Sequence, residues 1–416
     1  MDKIVIQGGK SLSGRVNISG AKNAVLPIMA AALLVDGKTV IDNVPDLRDT
    51  RTMIRLLEMV GARGRFGSHR LEIDAGPVDT PVAPYDLVKT MRASFYVLGP
   101  LLSRFGRAKV SLPGGCAWGP RPVDFHLKGL EKLGAEITLE GGYIQAQADY
   151  LTGATIHFEI PSVGATGNLL MAAVRARGTT VIENAAREPE IVQLGEFLQS
   201  MGARIEGLGT DEITIEGVAS LRPTQVTVIP DRIEAGTFLI AGAALGRITV
   251  DQVRPDHLKV VLEKLEEAGA EIRVEASSIT IQRPDSIQPV NMSTAVYPGF
   301  PTDLQAQWIA LMALAEGTSI ITDTIYHDRF SHVPELQRLG ANITLEKNVA
   351  VVIGQQELIG APVMSTDIRA SASLILGGLA ARGRTEISRV YHIDRGYEKI
   401  EEKFRTLGAS IERVSE

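Results

Sequence analysis

The sequence predicts an α/β protein of two similar domains, each built from three copies of one unit around buried helices. Three observations predict this. One short motif recurs six times, a glycine followed by a β-rich run recurs in phase with it, and small-residue helices precede those runs.

The motif is apolar-x-x-apolar-Gly-Ala. It stands at Leu57–Ala62, Leu130–Ala135, Phe197–Ala203 (with one extra residue), Leu265–Ala270, Leu336–Ala341 and Phe404–Ala409. Its glycines are residues 61, 134, 202, 269, 340 and 408, so successive gaps are 73, 68, 67, 71 and 68 residues. Leucines at helical spacing before a glycine read as a helix end, closed by the left-handed conformation that glycine tolerates. An alternating segment follows, such as Glu136-Ile137-Thr138-Leu139 or Glu271-Ile272-Arg273-Val274, and reads as a strand.

The second landmark falls half a unit earlier, at Lys38–Ile41, Thr179–Ile182, Ile248–Val250 and Thr318–Ile321. Segments rich in Ala, Gly and Leu precede it or its equivalents: 24–34, 168–176, 235–245, 303–315 and 371–381. That composition suits helices buried on most sides. The unit is therefore helix, strand, loop, helix, strand and a further strand. Six units divide into two domains of three, residues 21–230 and residues 1–20 with 231–416. Pro223 and Pro230 flank the connection, and the first segment is expected to pair with the last unit. A cleft between two such domains is the expected substrate site.

Bulk composition narrows the function. With 416 residues and 44% hydrophobic content the chain can bury large cores. A net charge of -6 and 5% aromatics disfavour a nucleic-acid surface. The single cysteine, Cys116, fits a reducing compartment. The start Met1-Asp2-Lys3-Ile4-Val5 has no signal-peptide pattern, and the apolar stretch Ala24–Val35 is too short to span a bilayer. A soluble, cytoplasmic protein is expected. The histidines are scattered without metal-ligand spacing, so no metal and no cofactor are expected. Gly8-Gly9-Lys10-Ser11 resembles the end of a P-loop, but Ile4 stands where the first glycine is required.

Charged residues fall at equivalent places in the repeat. Lys22, Arg92, Ser162-Val163-Gly164, Arg232, Asp303 and Arg369 stand where buried helices begin. Cys116 with Arg121, Arg187, Arg329 and Arg395 follow the first strand of a unit. Equivalent positions in a repeat tend to share a side, and helix N-termini favour anions. An acidic protein that gathers arginines in this way suits polyanionic small molecules. Each arginine alone reads equally well as a surface residue, and a helix cap is the lesser alternative for Asp303. The segment 112–124 is rich in glycine and proline and predicts an irregular loop. Cations near Cys116 would favour its thiolate, poising the thiol as an acid or nucleophile. A packed structural cysteine, or a thiol paired with His126, are the other readings of the same residues.

These residues together resemble the UDP-N-acetylglucosamine 1-carboxyvinyltransferases, enolpyruvyl transferases of bacterial peptidoglycan synthesis. The resemblance runs the full length. It is carried by the segments 20–24, 89–94, 112–124, 162–166, 183–190, 300–307, 367–373 and 391–398.

It implies an inside-out α/β barrel in each domain, with the active site in the interdomain cleft. It implies phosphoenolpyruvate and UDP-N-acetylglucosamine as substrates, with no cofactor. Lys22, Arg121 and Arg395 would hold the phosphate of phosphoenolpyruvate, with Asn23 beside it. Arg329 and Arg369 would place its carboxylate. Arg92, Arg121, Pro122, Val123, Asp124, Phe125, Ser162, Val163, Gly164, Asp303 and Ile325 would contact the UDP-sugar. Asp303 would take the proton of the sugar 3-hydroxyl. Cys116 would protonate the methylene carbon and be the target of fosfomycin. The enolpyruvyl transferase that acts on shikimate 3-phosphate, and a silent UDP-sugar sensor, are the competing implications.

Overall fold

The computed structural model describes residues 2–89, 91–112 and 123–415. The chain forms two compact units, Gly20–Ile229 and Met1–Ser19 with Pro230–Glu416. We call them the inserted unit and the terminal unit.

All six motif glycines take the left-handed conformation, with φ of 103°, 92°, 110°, 94°, 92° and 92°. In each copy the alanine N–H after the glycine reaches back five residues to a helix carbonyl, as from Ala62 to Leu57 and from Ala409 to Phe404. This closure satisfies carbonyls that a helix end leaves unpaired. It also turns the chain into the strand that follows, such as Arg63–Gly67 or Ser410–Val414.

Each repeat makes one four-stranded sheet, so the described residues contain six such sheets. The clearest copy runs Thr155–His157, buried helix Val163–Ala173, Thr179–Glu183, helix Pro189–Ser200, Arg204–Glu206 and Glu212–Glu216. The first two strands pair in parallel, as a helical crossover requires, and the last two form an antiparallel hairpin.

Chain order is broken only where the chain passes between units. Gln225–Thr227 pairs in parallel with Lys38–Asp42 and completes the first sheet of the inserted unit. At the chain start, Lys3–Gln7 lies between Arg384–Ser388 and Ser410–Val414. Leu12–Asn17 joins a different sheet, beside Gly246–Asp251. The opening segment therefore serves two repeats of the terminal unit.

The small-residue helices form the cores. Every residue of 233–245 is buried, as is every residue of 371–379. Each unit has its own apolar cluster. Helices lie inside and sheets outside, and the low side-chain bulk of Ala and Gly lets the helices approach closely. Gly99, for example, has no room for a Cβ, which would lie 2.4 Å from the Asn168 carbonyl.

Candidate active site

In the inserted unit, the candidate residues collect at the N-terminal ends of buried helices. Lys22 opens helix Lys22–Ala31 and is 9% exposed. Its Nζ lies 3.0 Å from Asp49 Oδ2, so the ammonium is compensated inside the unit. Asn23, the next residue, is half-buried. Arg92 opens the tight turn Arg92–Val97, which packs against the Lys22 helix and the helix Val163–Ala173. Ser162 caps that last helix, its Oγ accepting the Ala165 N–H at 3.3 Å. Ser162, Val163 and Gly164 are all half-buried. Cys116, Arg121 and Pro122 lie outside the described residues.

Val123, Asp124 and Phe125 lead into helix Asp124–Lys132, and Phe125 packs on Phe158 with ring centroids 5.8 Å apart. The next residue, His126, is a member of this cluster that sequence reasoning set aside. Its ring meets Phe95 edge-on at 4.9 Å. Asn168 fixes its tautomer. The Asn168 Oδ1 accepts the Gly99 N–H at 2.6 Å, so its amide nitrogen faces Phe95 O and His126 Nδ1, at 2.9 and 3.1 Å. Nδ1 is therefore an acceptor and the ring proton sits on Nε2. That nitrogen faces Gly164, where an added Cβ would lie 3.1 Å away. Burial, with help from Arg92, pulls the His126 pKa down to about 3. The ring is a neutral donor aimed at the start of the Ser162 helix.

The terminal unit holds a continuous buried network. Arg329, 6% exposed, donates from Nη1 to Asp303 Oδ1 at 2.7 Å and to Thr302 Oγ1 at 3.2 Å, and from Nη2 to Asp367 Oδ1 at 3.3 Å. Asp367 also accepts the backbone N–H groups of Arg369 and Ala370, at 2.9 and 2.7 Å, where helix Ser371–Ala380 begins. Arg369, 3% exposed, donates from Nη2 to Asp231 Oδ2 and from Nη1 to Gly396 O, both at 2.6 Å. Gly396 follows Arg395, the half-buried last residue of the turn Val390–Arg395.

Burial alone would lower the pKa of both arginines. Asp367 and Asp303 overcome it at Arg329, and chiefly Asp231 overcomes it at Arg369, so both guanidiniums stay charged. Burial likewise works to raise Asp367, but Arg329 and the two backbone donors hold it below the ordinary carboxylate value. Asp303 is the open member, with its side chain 25% exposed against 6% for Asp367.

Asp323 shapes the loop that carries Ile325 and Arg329. It is fully buried, and its carboxylate accepts the hydroxyls of Thr294 and Thr302 and the N–H groups of Ile325 and Tyr326. Sequence reasoning missed Asp231, Asp323 and Asp367 as parts of the site. The available signal was each aspartate's position just before a helix or turn. Arg187, grouped with the other cations by its place in the repeat, is exposed and donates to Gly209 O.

A cavity of about 950 Å³ in the inserted unit contains none of these residues. It lies at the other ends of the buried helices, lined by Arg104 and Arg175 among others. Arg104 donates there to the carbonyls of Leu33 and Val35, at the end of the turn Ala32–Leu34 that continues a buried helix, and to that of Ala75 after a strand; the first two suit an arginine that neutralises a helix C-terminus. Among the described residues no cluster of His, Cys, Asp or Glu could hold a metal ion, and no helix is long and apolar enough to cross a membrane.

The chain matches the family model described as EPSP synthase (3-phosphoshikimate 1-carboxyvinyltransferase) over residues 6–404. It is 59% identical to the UDP-N-acetylglucosamine 1-carboxyvinyltransferase of Chloroherpeton thalassium, covering 99% of this chain and 97% of the relative. The protein of the same name from Desulfosudis oleivorans is 56% identical over the whole of both chains. Among solved structures, the enolpyruvyl transferase NikO from Streptomyces tendae superposes with a TM-score of 0.91 at 29% identity, covering 100% of this chain and 99% of NikO. EPSP synthase from Acinetobacter baumannii shares the fold, with a TM-score of 0.77 at 18% identity over all of both chains. The chain belongs to the enolpyruvyl transferase family, among the UDP-N-acetylglucosamine 1-carboxyvinyltransferases.

Proposed function

We propose that this protein transfers the enolpyruvyl group of phosphoenolpyruvate to the 3-hydroxyl of UDP-N-acetylglucosamine, releasing phosphate, as the first committed step of peptidoglycan synthesis. The observation that carries this reading is full-length identity of 54–59% to relatives bearing that activity's name. Both substrates are polyanions that do not cross a bilayer unaided, so the reading places the enzyme in the cytoplasm.

The reaction breaks a carbon–oxygen bond. Cys116 gives a proton to the methylene carbon, and the adjacent carbon becomes oxocarbenium-like. The sugar 3-hydroxyl attacks it while Asp303 accepts the hydroxyl proton. Loss of a proton from the new methyl group and of phosphate restores the double bond.

Residues from both units are assigned to this one reaction. Lys22, Arg121 and Arg395 anchor the phosphate, with Asn23 beside them, and Arg329 and Arg369 orient the carboxylate. Arg92, the stretch 121–125, Ser162 to Gly164, Asp303 and Ile325 take the UDP-sugar. The side-chain geometry supports two of these roles directly. Asp303 is the more accessible of the two carboxylates on Arg329, which suits a base that must meet a hydroxyl. The free N–H groups at the Ser162 helix start and the Nε2 proton of His126 suit a diphosphate.

The test is phosphate release with each acceptor, with and without fosfomycin. Turnover with UDP-N-acetylglucosamine that fosfomycin abolishes is expected. Turnover with shikimate 3-phosphate alone would refute the reading, and calorimetric UDP-sugar binding without turnover would leave a sensor in its place.

A further inference from the structure

We infer that Asp231 is a positioning residue for phosphoenolpyruvate, acting through Arg369 and the turn that presents Arg395. The inference rests on the substrate reading above. Asp231 is the second residue of the terminal unit after the chain leaves the inserted one, and it is 4% exposed. Its two carboxylate oxygens do different work. Oδ1 caps helix Arg232–Leu245 by accepting the N–H groups of Ile233 and Glu234, at 2.9 and 3.0 Å. Oδ2 takes the Arg369 guanidinium at 2.6 Å.

Capping alone would be met by one oxygen. The second holds Arg369 so that its other terminal nitrogen meets the Gly396 carbonyl. That carbonyl belongs to the residue after Arg395, so one carboxylate fixes one arginine directly and, through it, the residue that follows a second. The approach is tight. A Cβ on Gly396 would lie 2.5 Å from Ile368 Cγ2 and 3.5 Å from Arg369 Cδ. Tyr397 closes the other side, with Arg369 Cζ 5.0 Å from its ring centroid. The Tyr397 hydroxyl is held by Thr237 and Gln307 at 2.8 and 3.0 Å. The Asp231 backbone N–H also donates to Ser19 O at 2.9 Å, and Ser19 is the last residue before the chain's other passage between units. Both chain crossings thus meet the residue that sets the arginine pair.

Asparagine caps helices about as well as aspartate but cannot form the charged pair. Asp231→Asn therefore separates the two roles. In the intact enzyme we expect D231N to raise KM for phosphoenolpyruvate about tenfold or more, while KM for UDP-N-acetylglucosamine stays within about twofold. Gly396→Ala, which disturbs the same carbonyl from its other side, should show the same selectivity, and it keeps the idea testable if D231N folds poorly. An unchanged KM for phosphoenolpyruvate in both variants, with Arg369→Gln impaired, would overturn the inference alone. Equal losses for both substrates with a lowered melting temperature would reduce Asp231 to a helix cap and also overturn it. If Arg369→Gln itself left phosphoenolpyruvate kinetics unchanged, the role assigned to Arg369 would fall, and the inference with it.

Discussion

Lowering the pH from about 7.5 to about 5.5 should destabilise each unit through one buried histidine. His126 lies in the inserted unit and His332 in the terminal unit. Burial pulls both pKa values from 6.5 to about 3. Arg92 adds to the effect at His126. At His332, Arg329 adds to it and Asp367 opposes it. Neither ring nitrogen of His332 has a hydrogen-bond partner among the described residues, so only the Asp367 charge favours protonation, and burial outweighs it.

Because the folded pKa lies below the unfolded one, the unfolded ring binds a proton that the folded ring refuses. The stabilising contribution is complete above about pH 6.5 and is lost progressively as the pH falls toward 3. At about pH 5.5 the loss is on the order of 1 kcal/mol for each histidine, and it is negligible at about pH 7.5. Glu234 works in the opposite sense in the terminal unit. Burial raises its pKa, against Lys403 at 2.6 Å, so its contribution improves as the pH falls. The informative quantity is therefore the difference between wild type and a variant that cannot titrate. Urea unfolding at both pH values should show that His332→Gln and His126→Gln, whatever they cost at pH 7.5, each lack on the order of 1 kcal/mol of the wild-type pH dependence. A full wild-type dependence in both variants would refute the reasoning.

Three further outcomes are expected. Cys116→Ser should lower turnover far more than UDP-sugar affinity, and Cys116→Asp should keep activity while resisting fosfomycin; steady-state kinetics with calorimetry checks both. Arg329→Gln should cost about 3–5 kcal/mol in denaturant unfolding, because it strips a buried carboxylate, Asp367, of its cation. Asn168→Leu should cost roughly 2–4 kcal/mol by orphaning the Gly99 N–H and the Phe95 carbonyl, and nitrogen NMR should show the His126 tautomer no longer confined to Nε2–H.

The repeat was legible because its landmarks are local. A glycine that must take positive φ after a leucine-spaced segment announces itself in sequence, and all six did so. The strand that opens each sheet was not legible. In five of the six sheets it is two or three residues long, as at Val82–Ala83 and Met292–Ser293, too short to show alternation. Nor does any periodicity reveal that Lys3–Gln7 and Leu12–Asn17 serve different sheets, since that partnership spans most of the chain. The cations of the site stood out against an acidic composition, whereas their partners did not. Asp231, Asp323 and Asp367 each occupy a place where an aspartate has a sufficient local reason, a cap or a turn, and their contacts lie 21 to 138 residues away.

On the proposed function, those partners bear on how the site would attract phosphoenolpyruvate. Arg329 and Arg369 share three carboxylates, Asp303, Asp367 and Asp231, so the buried network has no surplus positive charge to offer an incoming anion. Lys22 likewise faces Asp49. On that reading the value of such pairs is orientation: the guanidiniums have already given up their water to protein oxygens, and an arriving carboxylate would meet donors that need no rearrangement. Long-range attraction must then come from cations nearer the surface, of which Arg395 and Arg92 are half-buried. The two groups should respond differently to conservative change. Lysine keeps a point charge but lacks the fork that lets Arg329 hold Asp303 and Asp367 through separate nitrogens. Arg329→Lys should therefore lose activity almost as fully as Arg329→Gln, at any ionic strength. Arg395→Lys should keep a larger share, and raising the salt should weaken its binding of phosphoenolpyruvate as it weakens that of the wild type. Activity retained by Arg329→Lys would mean that charge, not geometry, is what the buried network supplies.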